Sequence, residues 1–586
     1  MDKEFFLANY RHSMAHVLAK AVIELWGSDV QYAIGPQVDD GFYYDFKLDH
    51  MITKDDYKAI ENKMREILKR KEAWTRKEVS RAEALDLFKG QKYKIEIIED
   101  LPEDATLSIY YTGDDFVDLC RGPHIDNSQE LLGVAFQIKF VSGSYWRGDE
   151  HNDQLQRVYV YAFPDKQQLK DHLDMIREAM ERDHKKLGAE MELFMFHETA
   201  PGMPYWLPKG WKLFNALLDY WRNEHVPHNY QEISGPVLSE KQLWITSGHW
   251  AHYQNGMFIA PIDENTTYAI KPMNCPNAIN VYRSTKRSYK ELPLRYSQVD
   301  VIHRREKSGE LNGLFRVQEF HQDDAHIFVT EDQIEDEIAD IMDIAKTIYA
   351  TFGLTYTAEL STRPDDFMGD IALWDQAEAS LKSILTKKFG ADGFEINEGD
   401  GAFYGPKIDL GMRDCLGRQW QMGTIQLDFQ LPLNFNLKYV APDGTEKQPV
   451  LIHRAIFGSF ERFIGILIEN FKGQFPFWLA PVQVGIVPIR PEHNAYAKKL
   501  ADLMMKNHIR FEVDYSDQNM KNKIKKYKLG RIPYVLVVGE KEAEQNTVAV
   551  NIRGVKDNLF GVPVEAFMQG MAEMNEAHSL ELKTAF

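Results

Sequence analysis

Cysteine is scarce, with three in 586 residues. So few thiols cannot build a disulfide framework, and a reducing, cytoplasmic setting is expected. Long apolar runs are missing as well. Nothing approaches the ~20 residues of a membrane span, so no membrane association is expected. The opening stretch, MDKEFFLANYRHSMAH, lacks the basic, apolar, small-residue order of a signal peptide. Positive charge is not in excess. The net charge of −19 argues against an indiscriminate nucleic-acid coat. Local basic patches remain free to hold phosphates, because such contacts act over a Debye length of ~8–10 Å. No internal repeat or low-complexity tract stands out. No Gly-rich phosphate loop of the GxxxxGKS/T kind is present, nor a GxGxxG after a strand. A nucleotide, if bound, must be gripped by side chains.

What is present suits full cores: 44% hydrophobic and 27% charged residues. At ~100–200 residues per domain, the length predicts three or four domains. Residues 1–165 read as α+β, with a periodic helix from Phe5 to Trp26. Strands surround a Gly-Pro turn in QYAIGPQVDDGFYYDF, and an alternating strand covers 154–163. The charged stretch 166–188 reads as a connecting helix closed by Gly188. Residues 189–480 are rich in aromatics and alternating strands, with helices expected near 211–224, 331–351 and 454–470. From 481 to 586, short buried-type strands (VQVGIVPI, RFEVDY, YVLVVG) alternate with helical stretches, the pattern of a compact α/β unit.

Three groups of residues carry chemistry. The first lies in RYSQVDVIHRREKSGELNGLFRVQEF, where a strand ends in Arg304 and Glu306 follows. After a Gly-rich turn, a second strand carries Arg316 and Phe320. Arginine clamps phosphate bidentately, a carboxylate accepts from an adenine amino group, and a phenyl face stacks on a base. An isolated Arg-x-Glu is more often a hairpin with surface charges. The second group is dispersed. Cys275 in KPMNCP, His326 in FHQDDAHIF and His453 in LIHRAIF form a sound zinc set with an open position. Their spacings, 51 and 127 residues, match no zinc finger, and each alone is more often a core residue. The third group is amino-terminal. RHSMAH places His12 and His16 one helical turn apart, and DLCRGPH adds Cys120 and His124. A metal site, a metal-free polar cleft and structural histidines are all open readings of that set. Finally, Lys521, Lys523, Lys525, Lys526, Lys528 and Arg531 form a basic run. It reads as a solvated face or a phosphate-binding patch.

Taken in order, these segments resemble class II aminoacyl-tRNA synthetases. HNYQEISGPVL is similar to motif 1, with Pro236 in place, and RxE-loop-RxxxF to motif 2. HRAIFGSFERFIGILIE is similar to motif 3, read as a helix bearing Arg462. KPMNCP, QDDAHIF, STRP, GAFYGPKID and GTIQLDF extend the resemblance to the threonyl-tRNA synthetases, over about residues 5 to 580. The fold implied is multidomain: an α+β editing domain, a class II antiparallel-sheet catalytic core and a C-terminal α/β anticodon-binding domain.

The resemblance also implies site residues. Arg304 holds the α-phosphate, and Arg462 and Phe320 sandwich the adenine, with Glu306 beside it. Arg316 meets the outer phosphates, with Mg2+ accompanying ATP. Zn2+ sits on Cys275, His326 and His453. L-threonine meets Gln322, Asp324, Tyr404, Thr424 and Gln426, while His321 and Asp323 are structural. Lys407 lies near the carboxylate and phosphates. His249 assists transfer to tRNA(Thr). The amino-terminal set becomes an editing site for seryl-tRNA, with Tyr43, Lys94 and Asp118 beside His12, His16, Cys120 and His124. Homodimer formation through motif 1 is implied.

Three departures are expected to matter. The β-grasp unit that usually precedes the HxxxH helix is expected to be absent. Gln318 stands where a second motif 2 arginine is usual, and Asn551 where an arginine is common in the anticodon-binding unit.

Two other functions fit parts of this pattern: a non-catalytic paralogue, and a hydrolase of mischarged tRNA alone. The intact central motifs argue against both.

Overall fold

The computed structural model describes residues 3–586, with side chains from Ala8 onward. The chain forms two compact units, one up to Glu178 and one from Ala179 to Phe586.

In the first unit, helix Lys3–Trp26 lies on an antiparallel sheet of strands Gln31–Tyr32, Gly41–Lys47, Gln154–Phe163 and Ala135–Tyr145. A short strand, Gln37–Val38, pairs with Gly41–Lys47. Helix Tyr57–Lys69 buries Ile60, Met64 and Ile67, spaced to share one helical face. Strands Trp74–Val79, Leu107–Thr112 and Phe116–Leu119 form a second antiparallel sheet. Met14, Val17, Leu18, Phe42, Tyr44 and Phe46 are fully buried in the shared core.

The stretch expected as one connecting helix is two, Lys166–Arg182 and His184–Glu190. Asp183 breaks it. Its side chain accepts from the backbone N–H groups of Lys185 and Lys186, as an N-cap does. Gly188 closes nothing. It sits inside the second helix, where an added Cβ would come 2.4 Å from the Phe194 ring.

The second unit is built on a nine-stranded sheet. Its central strands are Leu294–Gln298, Glu319–Val329, Val450–Ser459, Gln419–Asp428, Lys407–Arg413 and Tyr356–Ser361, each antiparallel to its neighbour. Only the outermost pairings, by Gln231–Glu232 and Glu395–Asn397, are parallel. Helices Pro208–His225, Ile334–Thr351 and Phe460–Asn470 bury apolar faces in the core behind it.

The helix expected near 454–470 begins only at Phe460; Val450–Ser459 is strand. That run is buried throughout its first eight residues, and a doubly buried strand shows no alternation to distinguish it from a buried helix. Gly458, with φ of 72°, makes the turn, and Ser459 caps the helix by accepting from Arg462 N–H.

The carboxy-terminal sheet runs Phe511–Val513, Val484–Pro488, Tyr534–Val538, Thr547–Ile552, Leu559–Pro563. Its first three strands are parallel and its last two antiparallel. Helices Asn494–Lys506, Met520–Leu529 and Val564–Glu576 accompany it. No helix among the described residues is long and apolar enough to cross a membrane.

Candidate functional site

Strand register assembles the central site. Directly opposed residues on neighbouring strands point to the same face, and residues two apart repeat that face. Lys407 opposes Gln426, Gln426 opposes His453, and His453 opposes His326. The next row holds Asp409, Thr424, Ala455 and Asp324. Residues far apart in sequence thereby line one face. Arg454 lies between these rows and Asp323 just beyond the second, at a register shift, and both point to the opposite face. There Asp323 Oδ2 accepts from Ile456 N–H at 2.8 Å and faces the Arg454 guanidinium at 3.8 Å.

This face floors a cavity of about 600 Å³. Its walls include Cys275, Asp324, Tyr404, Gln426 and His453 at one part, and Arg304, Glu306, Arg316, Phe320 and Arg462 at another. Gln322, Thr424 and Lys407 also line it.

Cys275 opens helix Cys275–Arg283 and is buried. Its Sγ and one ring nitrogen each of His326 and His453 lie within 4.8 Å of one another. Both nitrogens of His326 and the Nδ1 of His453 are buried without a hydrogen-bond partner. Orphaned buried nitrogens beside a thiol are costly unless something coordinates them. His453 Nε2 meets Asp428 Oδ2 at 2.9 Å. The other oxygen of Asp428 accepts from the Gln430 and Leu431 N–H groups at 2.7 and 3.0 Å. A carboxylate behind a ring nitrogen leaves the opposite nitrogen as a lone-pair donor, the usual arrangement behind a metal-ligating histidine. This donor set fits a zinc ion.

Around it, Tyr404 O–H donates to Gln426 Oε1 at 2.6 Å, and Asn274 Nδ2 donates to Asp324 Oδ2 at 3.1 Å. Burial pushes the Asp324 carboxyl up to about 6, opposed by His453 and by that hydrogen bond. Lys407 sits between Asp400 and Asp409 at 3.0 and 2.9 Å.

At the other part of the cavity, the Arg304 guanidinium lies over the Phe320 ring, 5.3 Å from its centroid, and its Nε donates to Pro272 O at 3.2 Å. Arg316 pairs with Glu306 and Glu310, each at 2.9 Å. It lies in the loop before strand Glu319–Val329, not on the strand as expected. Arg462 is held by the Phe315 and Gln421 carbonyls at 3.1 and 3.0 Å.

His249 is not brought into the cavity wall. It is fully buried, with Nδ1 at 2.9 Å from Ser247 Oγ and Nε2 at 3.1 Å from Met273 Sδ. Burial, then the charge of Arg304, pushes its pKa down to about 3. His321 Nδ1 and N–H both meet Glu461, each at 2.9 Å.

The first unit gathers the amino-terminal set. Ligand atoms of His12, His16, Cys120 and His124 also lie within 4.8 Å of one another. Here, however, the groups interlock. Cys120 Sγ meets His12 Nε2 at 3.3 Å and His124 Nε2 at 3.2 Å, and His124 Nδ1 meets Ser13 Oγ at 3.0 Å. Buried Asp118 stands 3.5 Å from His16 Nε2 and forms an ion pair with buried Lys94. Burial lowers the pKa of all three imidazoles, and it pushes the Cys120 thiol up to about 11.

Tyr43 does not belong to this set. Strand alternation turns it to the other face, where its ring meets Tyr159 and carries Arg157 at 4.0 Å. The neighbour, Tyr44, reaches the cluster. Its O–H donates to Asp118 Oδ2 at 2.6 Å and accepts from Lys94 Nζ at 3.2 Å. Tyr44, Ser13, Asn274 and Asp428 were not singled out from sequence. For Tyr44 the signal was available, since period-2 alternation with buried Phe42 and Phe46 selects it.

The basic run is thinner than it reads. Lys523 is buried against the Pro488 and Asp514 carbonyls, Lys526 pairs with Asp514 at 3.4 Å, and Arg531 with Glu190 at 3.2 Å. Lys521, Lys525, Lys526 and Lys528 are its exposed cations.

Comparison with known proteins gives three family matches along the chain. Residues 258–471 match the tRNA synthetase class II core domain (G, H, P, S and T). Residues 483–574 match the anticodon binding domain, and residues 107–159 the threonyl and alanyl tRNA synthetase second additional domain. The chain is 50% identical to a threonine–tRNA ligase of Desulforamulus reducens over 94% of this chain and 86% of that one. It is 46% identical to that of Thermotoga maritima over 98% and 89%. A crystal structure titled as the RNA binding domain of threonyl-tRNA synthetase from Cryptosporidium parvum Iowa II superposes with a TM-score of 0.64 at 39% identity, covering 67% of this chain and 98% of that one. With a class II core, an anticodon-binding domain and a second additional domain in one chain, and such identity along nearly all of it, the chain belongs to the threonine–tRNA ligase family.

Proposed function

We propose that the chain joins L-threonine to tRNA(Thr) at the central cavity, using ATP and Mg2+, and hydrolyses seryl-tRNA(Thr) at the amino-terminal cluster. The observation that carries this reading is the convergence of two donor sets in one cavity. An arginine-rich part suits a nucleotide, and a sulfur–imidazole part suits a metal-held amino acid.

In the first step, a threonine carboxylate oxygen attacks the α-phosphorus of ATP and pyrophosphate leaves. Arg304 binds the α-phosphate and neutralises charge as it builds. Arg462 and Phe320 hold the adenine between them, and Glu306 accepts from its amino group. Arg316 exchanges its carboxylate partners for the outer phosphates. Lys407 balances charge near the carboxylate.

Cys275, His326 and His453 would hold a zinc ion. When bound, it supplies a Lewis-acid anchor for the amino and hydroxyl groups of threonine. Asp324 accepts from the same hydroxyl. Tyr404, Gln426, Gln322 and Thr424 shape the remainder of the pocket. Valine has nearly the same shape but leaves Asp324 without its donor, a penalty an apolar pocket cannot impose. In the second step, a hydroxyl of the terminal ribose of tRNA(Thr) attacks the threonyl carbonyl, the bond to the α-phosphate breaks, and AMP leaves as the hydroxyl proton passes to its phosphate. His249 takes part only after Met273 moves aside.

Serine keeps the hydroxyl and lacks one methyl, worth ~1–3 kcal/mol, so a second site must remove it. In the amino-terminal cluster, the ester carbonyl is attacked by water. The water's proton goes to one of the neutral imidazoles, which returns it to the ribose oxygen as the ester bond breaks, leaving serine and free tRNA. Lys94, fixed by Asp118 and Tyr44, stabilises the oxyanion. The organisation proposed is editing domain 1–165, linker 166–188, core 189–480 and anticodon-binding domain 481–586, in a homodimer joined through motif 1.

The test compares wild type, Cys275→Ala and His12→Ala. Zinc content, ATP–pyrophosphate exchange with threonine, serine and valine, and seryl-tRNA hydrolysis are measured for each. Cys275→Ala should lose zinc and exchange. His12→Ala should keep both and lose hydrolysis. Wild type should exchange strongly with threonine, partly with serine and hardly with valine. Identical losses in both variants would refute the division of labour.

A further inference from the structure

We propose that His184 is a positioning residue for ATP: one imidazole ties the helix that carries Arg462 to the loop that carries Arg316. The inference rests on the assignment of Arg462 to the nucleotide.

His184 begins the short helix after Asp183 and is 1% exposed. Its Nδ1 lies 2.8 Å from Glu469 Oε1, and its Nε2 lies 3.0 Å from the backbone N of Leu314. A carboxylate oxygen only accepts and an amide N–H only donates. The ring is therefore neutral, with its proton on Nδ1. Its backbone N–H also donates to Glu469 Oε1 at 3.1 Å.

Both partners lead to the nucleotide part of the cavity. Glu469 lies two turns along the same helix as Arg462, and Arg418 holds its other oxygen. Leu314 precedes Phe315, whose carbonyl accepts from Arg462 Nε at 3.1 Å. Arg316 follows next. The Phe315 ring rests on the His184 ring, with centroids 4.0 Å apart. The imidazole thus sets the height of the loop above the helix at the carbonyl that aims Arg462.

Gly313 records the closeness of this contact. Its φ is 51°, in the left-handed region, and an added Cβ would stand 2.2 Å from His184 Nε2. A side chain at 313 and an imidazole at 184 exclude one another.

The segment that follows the first unit therefore touches both elements through this one imidazole, beside which Lys185 Nζ donates to Asn312 Oδ1 at 3.2 Å and Arg182 donates to the Glu469 and Asn470 carbonyls at 2.9 Å. A buried hydrogen bond of this kind, lost on one side only, is worth about tenfold in an equilibrium.

Two substitutions separate the bonds. In His184→Asn, the amide nitrogen stands near the place of Nδ1 and still donates to Glu469, but nothing reaches Leu314. In His184→Gln, the amide oxygen reaches the place of Nε2 and accepts from Leu314 N–H. ATP–pyrophosphate exchange on the full chain gives KM for ATP and for threonine separately. His184→Asn should raise the ATP KM about tenfold and leave the threonine KM unchanged. His184→Gln should stay within about threefold of wild type. Gly313→Ala, which keeps the histidine but pushes the loop off it, should copy His184→Asn. Equal ATP KM values in the Asn and Gln variants, or lowered kcat with an unchanged ATP KM, would overturn the proposal. Arg462→Lys is the control for the reading beneath it. If that variant keeps its ATP KM, the nucleotide assignment fails. If it loses ATP affinity while His184→Asn does not, only the positioning role fails.

Discussion

Replacing Asp428 by asparagine removes one charge behind a ligand set and changes no atom that faces the cavity. Asp428 uses both oxygens: one accepts from two backbone N–H groups, the other faces His453 Nε2 at 2.9 Å. Asparagine cannot serve both sides. If its oxygen stays on the backbone N–H groups, its NH2 faces His453, so Nε2 must accept and the proton moves to Nδ1. That is the atom turned toward Cys275 and His326. If the amide flips, its NH2 meets two N–H donors. Either way, holding the metal costs a tautomer change or a donor clash. Partners of this kind are worth 10–100-fold in metal affinity, about 1.4–2.7 kcal/mol. Zinc affinity is measured by competition with a chromophoric chelator, alongside the threonine KM in pyrophosphate exchange. Zinc affinity should fall and the threonine KM should rise with it, recovering when zinc is added, while the ATP KM stays. Zinc affinity within threefold of wild type would refute the tautomer argument.

Tyr44→Phe should slow seryl-tRNA hydrolysis about ten- to a hundredfold, the range for a hydrogen bond to a charged group. Tyr43→Phe should leave it unchanged, and single-turnover deacylation of both variants decides between the two faces of the strand. Cys120, pushed up to about 11 by burial, is about one part in a thousand thiolate at pH 8. Its alkylation by iodoacetamide should rise about tenfold per pH unit up to that value, and saturation near pH 8–9 would contradict the buried environment. In the carboxy-terminal domain, Lys525→Ala should reduce the salt slope of tRNA binding by about one and keep stability. Lys523→Ala should lower Tm and leave that slope, because its ammonium is spent on two carbonyls.

Much of the fold is legible where one face of an element is wet. Strand Gln154–Phe163 shows its period plainly, because polar residues alternate along it, whereas helix Tyr57–Lys69, with an equally clear polar face, is not among the expected elements. Legibility fails where both faces are buried. Val450–Ser459 reads as part of a helix, since nothing in an unbroken apolar run distinguishes a period of two from 3.6. It also fails where a local cap overrides a period. The connecting helix looks continuous until the Asp183 side chain is seen to hold two backbone N–H groups. The site residues divide in the same way. Cys275, His326 and His453 can be named from motifs, but their meeting depends on the register that sets His326 opposite His453. Asp428 gave no warning, because its role exists only once His453 lies across from its strand.

The two clusters resemble one another in composition and differ in how their polar atoms are satisfied, and the difference follows from the tasks. A site that must select a hydroxyl needs buried groups left wanting, so that only the correct ligand completes them; otherwise the wrong ligand costs nothing. Asp324, with burial raising its pKa, is such a group, and a zinc ion held on His326 and its partners would leave a second opening of the same kind. A site that must hydrolyse the seryl ester needs the opposite. Its proton-accepting groups must be neutral and held in place before the substrate comes, or each turnover would bear the cost of arranging them. The Cys120–His124–Ser13 chain and the Lys94–Asp118–Tyr44 triad meet that need from within the protein. Discrimination in this chain thus rests on unpartnered ligand atoms at one site and, at the other, on an interlocked set in which His16 Nδ1 alone of the four named ligand residues is left orphaned.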